Sequence, residues 1–159
     1  QNIIHGPTPA EIAALPHLEA LELSENRLTG TLPHFSSPVL RTFEVAYNEL
    51  TGTLPEDVGV RHERMVNFNV LGNKLTGPIP ESFARVIGLD TLTLSENMFS
   101  GTIPSALGEA KSLRYLYLDN NMLMGTIPAA IARVDSALAE LWLHENLLSG
   151  TIPTTLSDL

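Results

Sequence analysis

LEALELSENRLTGTLP, from Leu18 to Pro33, returns along the chain as LRTFEVAYNELTGTLP from Leu40, MVNFNVLGNKLTGPIP from Met65, LDTLTLSENMFSGTIP from Leu89, LRYLYLDNNMLMGTIP from Leu113 and LAELWLHENLLSGTIP from Leu138. The fixed point of each unit is an asparagine: Asn2, Asn26, Asn48, Asn73, Asn97, Asn121 and Asn146 recur every 22 to 25 residues. Six coils can be written without a gap. The chain is therefore a repeat protein, in which each unit buries its apolar face only against its neighbours.

Within a unit, Leu21 and Leu23, Phe43 and Val45, or Leu141 and Leu143 alternate with polar residues. That is the pattern of a short strand with one buried face. Where the chain leaves the strand its backbone groups lose their partners, and an inward asparagine has both donors and an acceptor to offer them. Aspartate, acceptor-only when ionised, could not do both. Glycine stands four residues after each asparagine and proline three residues further on, as in Asn48, Gly52 and Pro55; a tight turn followed by a residue that donates to no ladder is expected there. Beyond the proline, apolar residues at third positions predict short helical or 3-10 turns: Ile12 and Leu15, Phe83 and Val86, Leu107 and Ala110, Ile131 and Val134, Leu156 and Leu159. The connection from Pro33 to Leu40, with Phe35 and Pro38, is shorter and is expected to be extended.

This period, with L-x-x-L-x-L-x-x-N-x-L at its centre, resembles the leucine-rich repeat. The ending [ST]-G-x-[IL]-P further resembles the plant-type repeats of receptor-kinase ectodomains, receptor-like proteins and polygalacturonase inhibitors; similar repeats occur in algal proteins. The resemblance covers essentially the whole chain. It implies an α/β repeat fold, a right-handed solenoid with one parallel sheet on the concave face and short helical or 3-10 turns on the outer face. It also implies a second, smaller sheet at the L-[ST]-G-x-[IL]-P segment, ligand or co-receptor binding on the inner and lateral faces, and an extracellular or cell-surface ectodomain. Met124 departs from the Ser/Thr slot, Pro78 departs from threonine, and the cysteine-paired caps of many such domains are lacking.

The 159 residues make one domain by length, and an apolar content of 43% can fill a continuous core once coils stack. Residues 1–159 read as six full coils with a partial coil at each end, as in a fragment of a longer protein. Without cysteine these residues form no disulfide framework, thiol nucleophile or Cys-containing zinc site. No apolar run is long enough for a membrane span, so anchoring would fall to segments outside this chain. Eighteen acids against nine bases give a formal charge of −9, which disfavours nucleic acid and favours a basic or neutral partner.

The strand register assigns four slots per coil to the concave surface: the two that flank the penultimate strand leucine and the two after the last one. All three tyrosines and the single tryptophan fall in these slots, whereas Phe43, Phe68 and Phe99 take core positions. Tyr115 and Tyr117 share one face of their strand, and Trp142 stands in Tyr117's column one strand over, about 4.8 Å away by sheet spacing. Asp119, Glu140, His144 and Glu145 flank them, while Tyr47 and Glu44 occupy the same face nearer the N-terminus. Seven of the 24 slots are acidic (Glu22, Glu25, Glu44, Glu96, Asp119, Glu140 and Glu145) and none is Lys or Arg. Cross-strand aromatic neighbours can simply stabilise a sheet, by roughly 0.2–1 kcal/mol per pair. An exposed cluster of rings that combine an apolar body with a polar tip points instead to recognition.

His144 among acids is a poor metal or acid–base site without a second His or Cys ligand. The other histidines, His5, His17, His34 and His62, lie in turns or outer segments. No nucleophile elbow or phosphate loop is present, and no cofactor is implied. Threonines and serines such as Thr51, Thr53, Ser100 and Thr102 form a two-rank hydroxyl array, expected to satisfy turn backbone. The resulting expectation is a non-enzymatic recognition module that binds a protein or peptide on its concave face. Carbohydrate binding, inhibition of a wall enzyme and a purely structural spacer are the alternatives.

Overall fold

The computed structural model describes residues 2–13, 15–34, 37–132 and 137–158. Six three-residue strands, Ala20–Glu22, Thr42–Glu44, Asn67–Asn69, Thr91–Thr93, Tyr115–Tyr117 and Glu140–Trp142, pair in sequence order as one parallel sheet. The register carries the repeat into space: Leu21 opposes Phe43, then follow Phe68, Leu92, Leu116 and Leu141, each opposite the one before. Period-2 alternation sends these side chains inward. Phe43 and Phe68 stack with centroids 5.2 Å apart, and Phe83 meets Phe68 edge-on at 5.1 Å.

The second sheet, strands Thr51–Thr53, Lys74–Gly77, Met98–Thr102, Met122–Gly125 and Leu147–Leu148, is also parallel and in sequence order. His5–Pro7 pairs with Arg27–Thr29, and a single bridge from Thr31 to Thr51 joins that pair to the five strands. Between the two sheets lies the asparagine. Asn97 Nδ2 donates to the carbonyls of Val70 at 2.9 Å, Leu94 at 3.2 Å and Ser95 at 3.0 Å, while its Oδ1 accepts from Leu75 N at 3.0 Å. Asn48, Asn73, Asn121 and Asn146 repeat the arrangement. The expected double role is what the side chain performs. At the following turn Gly52 adopts φ +83°, where an added Cβ would also stand 2.8 Å from Thr31 Cγ2.

The outer wall is made of 3-10 turns at Glu81–Arg85, Ser105–Glu109, Ala129–Ala132 and Thr154–Asp158, with short α-turns at Ala10–Ala13 and Val58–Arg61. Proline opens them: Phe83 N donates to Pro80 O and Leu107 N to Pro104 O, and the next bonds run from Val86 N to Phe83 O and from Ala110 N to Leu107 O. Because side chains three apart eclipse in a 3-10 helix, Phe83 and Val86, like Leu107 and Ala110, point into the core together. Leu15 instead is half exposed. Val134, Leu159 and Phe35 lie outside the described residues. The short connection was expected to be extended, but its described part closes a turn at Pro38 and Val39, with Leu40 N donating to Ser37 O. Ser37 in this connection is buried, as is His62 from the next coil, with His62 Nδ1 3.1 Å from Ser37 O. Among the described residues no helix is long and apolar enough to cross a membrane.

Candidate concave recognition surface

The first two concave slots behave as strand positions that face away from the core. In the fifth and sixth coils they carry Tyr115, Tyr117, Glu140 and Trp142, and the register sets Tyr115 opposite Glu140 and Tyr117 opposite Trp142. Tyr117 packs edge to face on Trp142 with centroids 4.8 Å apart, and Tyr115 lies 6.4 Å from Tyr117. Trp142 keeps 50% of its surface in solvent. His144 extends the cluster, its ring 6.3 Å from that of Trp142.

Polar tips are tied off within the cluster. Tyr117 Oη donates to Glu140 Oε2 at 2.8 Å. Loss of water around the phenol, followed by that bond and the charges of Glu140 and Tyr115, pushes the Tyr117 pKa up to about 12. Arg114 was not anticipated as part of the site. Its guanidinium sits 5.0 Å from the Tyr115 ring centre, donates to Tyr115 Oη at 2.9 Å and lies 3.5 Å from Asp90 Oδ1. The signal was available in the residue just before the first slot, where Asp90 and Arg114 fall on adjacent coils.

The third and fourth slots depart from the strand reading. Ala46, Ser95 and Asp119 in the third are buried, Asp119 with only 5% of its surface exposed. Here the chain already turns, and the side chain serves the neighbouring coil: Ala46 N donates to Ser24 Oγ at 3.0 Å, and Ser95 Oγ donates to Asp119 Oδ1 at 2.5 Å. Asn120 Nδ2 donates to Asp119 Oδ2 at 2.9 Å, and His144 Nε2 stands 3.7 Å from the same oxygen. Asp119 is thus an internal acceptor rather than an exposed flank. Glu25, Tyr47, Glu96, Asn120 and Glu145 in the fourth slot all have φ between +51° and +56°, and Gly72 has +65°. Left-handed backbone turns these side chains out at the rim.

The acids divide accordingly. Glu22, Glu25, Glu96, Glu140 and Glu145 are exposed, and Glu44 Oε1 accepts from Asn67 Nδ2 at 2.5 Å. Tyr47 and Glu44 sit in the second coil, with two strands between theirs and the tyrosine strand, so the structure does not bring them to the aromatic cluster. Chemically the arrangement offers ring faces, a hydrogen-bonded rim and negative charge. Ser95 donates to Asp119 rather than to His144. Among the described residues no three His, Cys, Asp or Glu side chains are grouped to hold a metal.

Comparison with known proteins agrees with the fold. The leucine rich repeat family pattern matches residues 63–123, and a second leucine rich repeat pattern matches 17–37 and 137–159. A search of curated proteins finds no match. Among solved structures, the Arabidopsis receptor kinase HAESA, in complex with the peptide hormone IDA and the co-receptor SERK1, superposes with TM-score 0.95 at 34% identity, over 100% of this chain and 27% of that one. A TDR receptor gives 0.92 at 32% identity, over 99% and 27%. The plant peptide hormone receptor RGFR1, in complex with RGF2, gives 0.77 at 30% identity, over 100% and 29%. The chain spans little more than a quarter of the length of these receptors. Six stacked coils with the asparagine between two parallel sheets, matched by both patterns, place the chain among the leucine-rich-repeat proteins, with repeats of the plant type.

Proposed function

We propose that this solenoid is part of an extracellular receptor-like protein and binds an extended peptide or protein segment on its concave face. Trp142, Tyr117 and Tyr115 are the anchors, and the exposed acids Glu140 and Glu145, with Glu44 and Tyr47 further along the face, favour a basic segment. The observation that carries the reading is Trp142, half exposed and held edge to face on Tyr117. A ring fixed in place by its neighbour loses little freedom when a ligand covers it, which is what an anchor requires. Support also comes from HAESA and RGFR1, whose structures hold peptide hormones.

Trp142 is the only tryptophan and reports its own occupancy. Its fluorescence should change saturably on titration with a basic peptide, less so as salt rises, and affinity should fall at least roughly tenfold in Trp142→Ala. A response to a cell-wall oligosaccharide alone, insensitive to salt, would replace the peptide reading with carbohydrate stacking.

A further inference from the structure

The outward side of the second sheet is untouched by the peptide reading. Its outward slots lie one and three residues after each asparagine, while the residue between them, such as Leu75, Phe99 or Leu123, is fully buried. In the first three full coils the leading slot is charged, with Arg27, Glu49 and Lys74, and Lys74 Nζ lies 2.9 Å from Glu49 Oε2. In the next three it holds Met98, Met122 and Leu147, exposed by 42%, 50% and 62%. Met124 occupies the other slot, which is threonine or serine in the remaining five full coils, and is 49% exposed. The register makes one strip of them: Met122 pairs with Ser100, two residues along the strand from Met98, and Met124 pairs with Leu147.

Three of the four methionines therefore stand together in solvent, whereas Met65 is 1% exposed in the core. With no cysteine, all the sulfur chemistry of these residues belongs to methionine. A hydroperoxide oxidises a thioether in one two-electron step. The sulfur lone pair attacks a peroxide oxygen, the S–O bond forms as the O–O bond breaks, and the other oxygen, reduced, takes a proton and leaves as water or an alcohol. The sulfoxide is polar and accepts hydrogen bonds, so an apolar strip so converted ceases to be apolar.

We propose that Met98, Met122 and Met124 are an oxidation site at which a hydroperoxide turns this face of the second sheet from apolar to polar while the coil stack stays intact. The fold survives because every inward side chain and the bonds of Asn97, Asn121 and Asn146 lie on the other side of these strands.

The test is titration of the full chain with hydrogen peroxide, followed by peptide mapping, circular dichroism and retention on a hydrophobic-interaction column. Met98, Met122 and Met124 should each gain one oxygen roughly tenfold or more faster than Met65. Near-ultraviolet dichroism should be unchanged and retention reduced. A variant combining Met98→Leu, Met122→Leu and Met124→Leu keeps an apolar strip of similar volume, and its retention should not respond to peroxide. Oxidation of Met65 in step with the other three, loss of the near-ultraviolet signal as they convert, or an equal fall in retention of the leucine variant would each overturn the proposal.

Discussion

The ring of Tyr47 lies against the backbone of Gly72, so closely that a β-carbon built on the glycine would stand 2.6 Å from Tyr47 Cδ1. Backbone conformation alone does not demand glycine here, since glutamates hold the same left-handed slot in the first, fourth and sixth coils. The tyrosine beneath does. Gly72→Ala should cost about 2 kcal/mol in urea denaturation, part from left-handed alanine and part from the displaced ring. With Tyr47→Ser in the background the cost should fall to about 1 kcal/mol, and an unchanged cost would mean that the ring contact is not the cause.

Glu96 holds φ +54° without the tolerance that asparagine brings to the same slot at Asn120. Glu96→Asn should therefore raise stability by about 0.5–1 kcal/mol, since asparagine visits this region at lower cost. A denaturation midpoint that stays put would show that the turn holds glutamate without strain.

Removing the side chain of Asn97 leaves the Leu75 N–H without its acceptor and takes one donor from each of three carbonyls, of which Val70 O keeps Asn73, Leu94 O keeps Asn121 and Ser95 O keeps the Gly72 N–H. Asn97→Ala should cost about 2–3 kcal/mol. Asn97→Asp should be worse at neutral pH, because a carboxylate would face those carbonyls with no proton to give. The fold raises the pKa of the introduced carboxyl, so stability is retained at low pH and lost as pH rises through that raised value. Denaturation curves across pH 4–8 would reveal a variant without such a trend.

Tyr117 should ionise late. Its pKa is raised from 10.0 to about 12, first by desolvation and then by Glu140, so the stability it contributes is complete below pH 10 and declines as pH climbs through 12. Phenolate absorbance should show a late phase that Tyr117→Phe removes, and Glu140→Gln should shift that phase downward. A late phase surviving in Tyr117→Phe would assign it to another tyrosine.

Two glycines of the outer wall should behave oppositely. A Cβ at Gly108 would be driven to 1.9 Å from Ala130 O in the next coil, whereas at Gly88 the nearest atom in range is Met65 O at 3.6 Å. Gly108→Ala should cost about 3 kcal/mol, and Gly88→Ala should be neutral or slightly stabilising, within about 0.5 kcal/mol. Equal midpoints for the two variants would contradict the close approach of Gly108 to Ala130 O.

What could be read from the sequence was whatever one coil dictates to itself. The alternation around Leu92, the paired donors and acceptor of Asn97, and the third-position spacing of Phe83 and Val86 are local, and their places in the fold followed directly. What escaped depended on the neighbouring coil or on a turn without a glycine to announce it. Asp119 looks like a surface acid until Ser95 is placed beside it one coil earlier, and nothing in Glu25 or Glu96 advertises a left-handed backbone. Arg114 stands just before the first strand slot, so the slot pattern does not announce its contact with Tyr115. The aromatic pairing was legible, since Tyr117 and Trp142 share a column, but the bond that ties Tyr117 to Glu140 is diagonal across two columns.

Each asparagine joins its own coil to the one before: Asn97 reaches back to Val70 and Leu75, and Asn121 to Leu94 and Phe99. The stack is consequently a row of similar seams, each closed by strand pairing and one amide. A pull at either end is borne seam by seam rather than shared through a single centre, and a coil can be spliced in or cut out wherever the two faces brought together still match.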